Sequence, residues 1–188
     1  MIDFSNSDNV QKLFAIRRSN RVLLKIALSA MFAAVAVSLS GFSFPVGPSR
    51  CFPFQHAVNA LAGILLGPWW AAGAAVVSST IRNFLGTGTI LAYPGSVFGA
   101  LAVGLLADIL PMRFKPLAAV AEPLATGTVG AWVSALIMAG AGKSAMFGML
   151  STAFLASSAP GALIGFLLLC TVMTASKRRA RVSPEKPE

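Results

Sequence analysis

Two clusters of polar side chains interrupt an otherwise apolar chain, and both carry groups suited to binding a small molecule. The first reads GPSRCFPFQH over residues 47–56 and is followed by Asn59, and the second reads RNFLGTGT over residues 82–89. Arginine presents a fork of donors, and amide, imidazole and hydroxyl groups donate or accept hydrogen bonds. Polar groups within a bilayer are costly unless they serve a function or are shielded from lipid. The clusters predict a small polar pocket in a membrane protein rather than a soluble enzyme.

The residues that we expect to contact a substrate come from these clusters and from two later apolar stretches. They are Arg50, Gln55, His56, Asn59, Arg82, Asn83, Gly86, Thr87, Gly88, Thr89, Tyr93, Glu122, Thr126 and Trp132. Several of them have a second interpretation. Arg50 and Arg82 are also typical of arginines that reach solvent or lipid headgroups, and a lone histidine such as His56 often serves packing alone.

Most of the remaining candidates also have two interpretations. Residues 86–89 form either a plain turn or a turn whose amides and hydroxyls face a ligand. Tyr93 either stacks on a planar ring or belongs to an aromatic belt at the membrane interface. Glu122 either contacts the ligand or pairs with a buried donor, because an ionised carboxylate facing lipid would be costly. Trp132 would form a wall of the pocket.

The sequence indicates neither a catalytic centre nor a metal site. His56 is the only histidine, and the chain has only six acidic residues. No Ser or Cys lies at a spacing that would make His56 the base of a nucleophile, and no ligand set with metal-binding spacing is present. The GTGT turn lacks the lysine and spacing of a nucleotide-binding P-loop. We therefore predict a protein that is not an enzyme, needs no cofactor and cannot hydrolyse ATP by itself.

The composition places the chain in a membrane. Hydrophobic residues make up 56% of it, charged residues 11%, and the mean hydropathy is +0.76. Soluble domains carry about 25% charged residues. The net charge of +9 comes from basic residues concentrated near the two ends, with no basic face interleaved with aromatic rings. This pattern indicates anchors at a membrane surface rather than a nucleic-acid-binding face.

Six apolar stretches predict an all-α membrane protein with six transmembrane helices. Their approximate bounds are residues 22–39, 54–66, 69–85, 93–110, 117–139 and 147–173. The second is short for a bilayer, so either the helix begins earlier, within residues 50–55, or that segment folds back as a protein-lined loop. Both termini and the loop at residues 111–116 are basic, which predicts that all three are cytoplasmic. The two polar clusters then share the outer face.

Three regions follow from this pattern. Residues 1–21 form a cytoplasmic arm, with a short amphipathic helix on the membrane surface through Val10, Leu13, Phe14 and Ile16; residues 22–175 form the membrane domain; and residues 176–188 form a basic, disordered cytoplasmic tail. Asp108 is expected to pair with Arg113 or Lys115. Ala30 and Ala34 belong to a stripe of small residues, which serves either ordinary packing or the docking of a membrane partner.

Three stretches resemble the signature segments of the ThiW family. They are GPSRCFPFQHAVNALAGILLGPWWA, RNFLGTGTILAYPGSVFGAL and AEPLATGTVGA, which occur in this order within residues 22–175. ThiW proteins are substrate-binding S components of energy-coupling factor (ECF) transporters. The resemblance implies an S-component-like bundle that captures hydroxyethylthiazole, the thiazole precursor of thiamin. It also implies partners, namely a transmembrane T component and two ABC-type ATPase subunits, with the Ala30 and Ala34 face of the first helix as the docking site.

Other interpretations remain open at this point. The chain could be an S component for another thiamin-related precursor, a stand-alone facilitator for a small solute, or a scaffolding membrane protein. A membrane-embedded enzyme would need a reactive cluster that the sequence does not contain. A neutral thiazole does not require Arg50 or Arg82, so a phosphorylated or carboxylated thiazole is also open.

Overall fold

Helices build almost all of the structure, a computed structural model that describes residues 14–17, 21–46, 49–138 and 143–182. The α-helices are α1 (Val22–Ser38), α2 (Pro53–Leu66), α3 (Pro68–Phe84), α4 (Pro94–Ile109), α5 (Ala121–Ala125), α6 (Ala131–Met138) and α7 (Lys143–Val182). A π-helical segment, Thr126–Gly130, joins α5 to α6, and the 3-10 segments are Leu39–Gly41, Ile90–Ala92 and Met112–Val120.

Proline sets the start of three helices. Pro53, Pro68 and Pro94 occupy the first turn of α2, α3 and α4, where the missing N–H would have no intrahelical partner. Gly67 separates α2 from α3 and has a φ of 98°. Because Pro116 interrupts the helical hydrogen bonds, residues that were predicted to begin the fifth span lie in the 3-10 segment, and α5 begins only at Ala121.

Helix α2 occupies the centre of the bundle. It packs against α1, α3, α4 and α7, and ten of its residues are buried. The other helices turn large apolar side chains outward, for example Leu105 on α4, Leu124 on α5 and Leu163 on α7. An apolar exterior around a core that contains polar side chains is the arrangement expected in lipid.

Four helical stretches within the described residues are long and apolar enough to cross a membrane. They are Val22–Gly41, Ile90–Ile109, Met112–Met138 and Ala145–Ala175. The helices α2 and α3, with 14 and 17 residues, fall below that length. The chain is therefore an all-α, multi-pass membrane protein with one small β element.

That β element is an antiparallel pair that the sequence reading did not predict. Strand β1 (Phe44–Val46) pairs with β2 (Ser49–Cys51), with Pro45 opposite Arg50. Cys51 and the following Phe52 attach the pair to α7, since the thiol donates to the carbonyl of Ala153 and the amide of Phe52 donates to Ser157 Oγ at 2.7 Å. Helix α2 thus begins at Pro53, and the segment before it folds back over the bundle.

The opposite end of the bundle holds residues 14–17. Phe14 is buried in a core cluster with Ile64, Val103 and Leu169, so the prediction that it lies on the membrane surface is wrong. Arg17 donates to the carbonyls of Gly63, Ile64 and Gly104 and pairs with Asp108 at 2.6 Å. Asp108 thus has a partner other than the two predicted for it. Val10 and Leu13 lie outside the described residues.

Two further predictions concern the C-terminal tail, which follows α7, and the small residues on α1. Helix α7 continues to Val182, so the first part of the predicted tail is helical. Lysine and arginine are good helix formers, which explains why the basic run does not end the helix. On α1, Ala33 and Ala36 face the bundle, whereas Ala30 and Ala34 are exposed.

Candidate functional site

A cavity of about 270 Å³ lies at the end of the bundle opposite Arg17. The β pair, the N-terminal ends of α2 and α4, the C-terminal end of α3 and the middle of α7 surround it. Its lining residues are Arg50, Phe52, Gln55, His56, Arg82, Gly86, Thr87, Gly88, Thr89, Leu91, Ala92, Gly95, Ser96, Phe154 and Ser157. Small-molecule sites usually have volumes of about 300–1,000 Å³, so this cavity lies at the small end of that range.

Arg82 is the most unusual group in the lining, because its side chain is only 1% exposed. Nη1 donates to Gln55 Oε1 at 2.5 Å, and the guanidinium carbon lies 3.8 Å from the centre of the Phe52 ring. Nε and Nη2 are buried and have no hydrogen-bond partner among the described residues. The ring of Phe52 supplies a cation–π contact but no acceptor for these two nitrogens.

Gln55 continues this contact into a buried network that joins three helices. Its Nε2 donates to Ser78 Oγ at 3.1 Å and to Ser96 Oγ at 2.9 Å, linking α2 with α3 and α4. Ser96 also exchanges hydrogen bonds with Asn59. Such a network fixes the position of each member, since a buried polar group without a partner is destabilising. It therefore fixes Gln55, and through Gln55 the guanidinium of Arg82, at the cavity wall.

His56 and Glu122 form the other fixed polar pair. Nδ1 of His56 lies 2.5 Å from Oε1 of Glu122, which also accepts from Asn59 and from Thr126. Because an ionised carboxylate only accepts, Nδ1 donates to Glu122, and Nε2 is the ring nitrogen left for a ligand. Glu122 and Thr126 pack directly on the backbone of α4 at Gly99, where a Cβ would lie too close to both oxygens.

The GTGT turn caps α3 rather than cradling a ligand with its amides. The amide of Gly86 donates to the carbonyl of Asn83, and the amides of Thr87 and Gly88 donate to the carbonyl of Arg82. With Gly86 at a φ of 71°, this is a Schellman cap, in which glycine adopts the left-handed conformation. Of the two interpretations of this turn, the one with amides that face a ligand is wrong for these three residues, although the turn does line the cavity.

The structure brings eight of the sequence-predicted site residues to the cavity wall: Arg50, Gln55, His56, Arg82, Gly86, Thr87, Gly88 and Thr89. Asn59, Glu122 and Thr126 lie behind this wall in the buried network. Glu122 therefore has the buried donor that was one of its two interpretations.

Three further candidates lie away from the cavity lining. The amide of Asn83 donates to the carbonyl of Ser79, and the hydroxyl of Tyr93 bonds with Thr80. Trp132 is 50% exposed and packs edge-to-face against Phe147. None of the three is placed to meet a ligand inside the cavity as it is lined here.

Sequence reasoning missed several lining residues, including Phe52, Ser96, Phe154 and Ser157. Phe52 lies within the first polar cluster, and Ser96 follows the Pro94 that begins α4. The pair Ser157 and Ser158 is a polar interruption in the longest apolar helix, and this was the available signal for α7. Phe154 gives no such signal, because an aromatic residue in an apolar helix normally packs in the core.

These features define a class of protein: a multi-pass helical membrane protein that encloses a polar cavity for a small solute. Within the described residues, no group of three His, Cys, Asp or Glu side chains is arranged to hold a metal ion. A family model described as "Thiamine-precursor transporter protein (ThiW)" matches residues 26–175, and the chain belongs to this family of transporters. No curated protein and no solved structure matches the chain.

Proposed function

We propose that the chain is the substrate-binding S subunit of an ECF-type ABC importer and that its substrate is hydroxyethylthiazole. The observation that carries this proposal is the cavity, which has hydrogen-bonding side chains fixed on a rigid network in a chain of the thiamine-precursor transporter family. A rigid, preformed set of donors and acceptors favours tight capture of one solute.

The cavity chemistry suits a substituted thiazole. The rings of Phe52 and Phe154 in the lining offer apolar faces to a planar ring. Nε2 of His56 can form a hydrogen bond with the hydroxyl of the hydroxyethyl group, and the hydroxyl of Ser157 can donate to the ring nitrogen. Substrate contact is thus assigned to cavity-lining residues, with Asn59, Glu122 and Thr126 in a positioning role.

The proposed membrane arrangement has six spans with both termini in the cytoplasm. At about 1.5 Å per residue, the 14 residues of α2 reach about 21 Å, less than the hydrocarbon thickness of about 30 Å. Protein surrounds this helix on most sides, so it need not match the bilayer. The basic residues near both ends of the chain support the cytoplasmic placement of the termini.

Coupling to ATP hydrolysis requires other subunits, because the sequence has no nucleotide-binding motif. The exposed alanines Ala30 and Ala34 on α1 offer a surface on which a helix of the T component can approach closely. The T component would connect the chain to two ABC-type ATPase subunits. Ligand capture would then be a property of this chain, and release into the cell a property of the complex.

Native mass spectrometry of the purified protein with hydroxyethylthiazole, thiamin and hydroxymethylpyrimidine tests the proposal. Selective retention of the thiazole supports it, and retention of another precursor would keep the S-component assignment but change the substrate. In vesicles that contain only this chain, we expect binding without accumulation or facilitated entry. Rapid uptake there would instead identify a stand-alone facilitator.

A further inference from the structure

We infer that the ligand carries an acidic group, a phosphate monoester or a carboxylate, that binds to Arg82. This inference rests on the proposed S-subunit role and replaces the neutral hydroxyethylthiazole with an anionic thiazole as the preferred substrate. It starts from Arg82, a residue of the cavity lining, whose guanidinium has two buried nitrogen atoms that lack partners.

The cavity holds an excess of positive charge. Among the described residues, Asp108 contacts Arg17 and Glu122 contacts His56, so no carboxylate there lies within ion-pair distance of Arg82, and the cavity lining contains none. Arginine does not lose its proton in proteins, and a buried charge without a counterion is strongly unfavourable. Arg50 adds a second guanidinium to the lining. A bound anion would supply the missing counterion.

The atoms left over on Arg82 match the geometry of an acidic group. Gln55 occupies Nη1, and the atoms without partners are Nε and Nη2. These two N–H groups point in parallel along one edge of the guanidinium, the edge that donates two hydrogen bonds to a carboxylate or phosphate. A neutral alcohol has one oxygen and would leave one of these donors without a partner.

The ends of two helices add to the attraction. Helices α2 and α4 both begin at the cavity, with Gln55 in the first turn of α2 and Gly95 and Ser96 in the first turn of α4. The positive end of a helix dipole stabilises a nearby anion. These two dipoles act in the same direction as the guanidinium of Arg82, whereas the C-terminal end of α3 at the cavity acts against them.

Binding of hydroxyethylthiazole, its phosphate ester and a thiazole carboxylate to the full-length protein in nanodiscs tests the inference by calorimetry. We expect the wild type to bind at least one anionic ligand about 10- to 100-fold more tightly than the alcohol, the range that hydrogen bonds to a charged group supply. Arg82→Gln should remove this preference, so that the anionic ligands and the alcohol bind with similar affinity. The matched control, Arg113→Gln, changes an exposed arginine outside the cavity and should keep the preference.

A second variant keeps the test valid if Arg82→Gln fails to fold. Gln55→Glu places a carboxylate against Arg82 within the chain, and we expect it to lower affinity for the anionic ligands selectively. Equal or tighter binding of the alcohol by the wild type would overturn the inference and leave the proposed function standing. Failure of the wild type to bind any of the three thiazoles would contradict both the inference and the proposed function.

Discussion

Nδ1 of His56 on α2 and Oε1 of Glu122 on α5 lie 2.5 Å apart, although 66 residues separate them in sequence. Glu122 is fully buried, and His56 reaches the cavity. The pair therefore connects a residue of the cavity wall to a helix that contributes no residue to that wall. It also gives a carboxylate in an apolar bundle the partner that it needs.

Removing the imidazole should abolish this connection. We expect His56→Ala to lower the free energy of unfolding by about 3–5 kcal/mol, the usual result of removing one partner of a buried pair, and to weaken ligand binding. Asn83→Ala is the control, because that side chain bonds to a backbone carbonyl outside the cavity lining. Thermal unfolding and ligand titration of both variants check this prediction. Equal loss of affinity in the two would contradict the cavity assignment.

The close approach of α4 to α5 at Gly99 should tolerate no added methyl group. A Cβ there would collide with Glu122 and Thr126, so Gly99→Ala should destabilise the fold by about 1–3 kcal/mol through overpacking. Gly73→Ala is the matched control, since a Cβ at that helical position has open space. It should be neutral or slightly stabilising. The melting temperatures of the two variants in one detergent check this prediction. Comparable values would contradict the close packing of α4 at Gly99.

Arg17 should stabilise the end of the bundle that is remote from the cavity. Arg17→Ala removes hydrogen bonds to three carbonyls. We expect the free energy of unfolding to fall by about 1.5–3 kcal/mol, which is typical of hydrogen bonds from a charged group. Asp108→Asn should cost less than about 1 kcal/mol, because the Asp108 side chain is 54% exposed. Ligand affinity should stay unchanged in both variants. A change in affinity after Arg17→Ala would mean that the two ends are coupled.

Substitution of the exposed alanines on α1 separates binding from transport. Ala30→Leu with Ala34→Leu should leave ligand affinity intact and block uptake in cells that contain the proposed T component and ATPases, because larger side chains prevent close helix approach. Ala156→Leu, at an exposed alanine on α7, is the control and should transport normally. Normal uptake by the double variant would move the docking surface elsewhere on the chain.

Burial raises the pKa of the Cys51 thiol, and a hydrogen bond with Ser157 offsets only part of that effect. The thiolate is the reactive form, so a raised pKa keeps the thiol protonated and unreactive near neutral pH. In a Cys170→Ser background, we expect slow labelling by maleimide at pH 7 that accelerates as the pH rises. Phe42→Cys, at an exposed position in a background without the native cysteines, should label rapidly. Fast labelling of Cys51 at pH 7 would contradict its burial.

Much of the helical layout could be predicted because local residues determine it. The predicted start of the first helix at Val22 and the end of the second at Leu66 agree with α1 and α2. Gly67 and Pro68 end one helix and begin the next through their own backbone restrictions. The length of an apolar run and the Gly or Pro residues at its ends are thus enough to predict most helix boundaries.

The partners of the polar residues could not be predicted in the same way. Arg17 with Asp108, like His56 with Glu122, is a contact between distant parts of the chain that only the packing of the bundle decides. The β pair was also missed, since two strands of three residues containing Pro45 give little strand signal. Position in the bundle, rather than residue type, decides which polar groups reach the cavity.

The cap at the end of α3 has an evolutionary consequence. Since the amides of Gly86, Thr87 and Gly88 are committed to helix carbonyls, recognition at that wall falls to side chains such as Arg82, Gln55 and Thr89. A backbone cradle is inherited with the fold, whereas a side chain changes with one codon. The same scaffold can therefore acquire a preference for a different solute by point mutation while its helix caps and packing stay as they are.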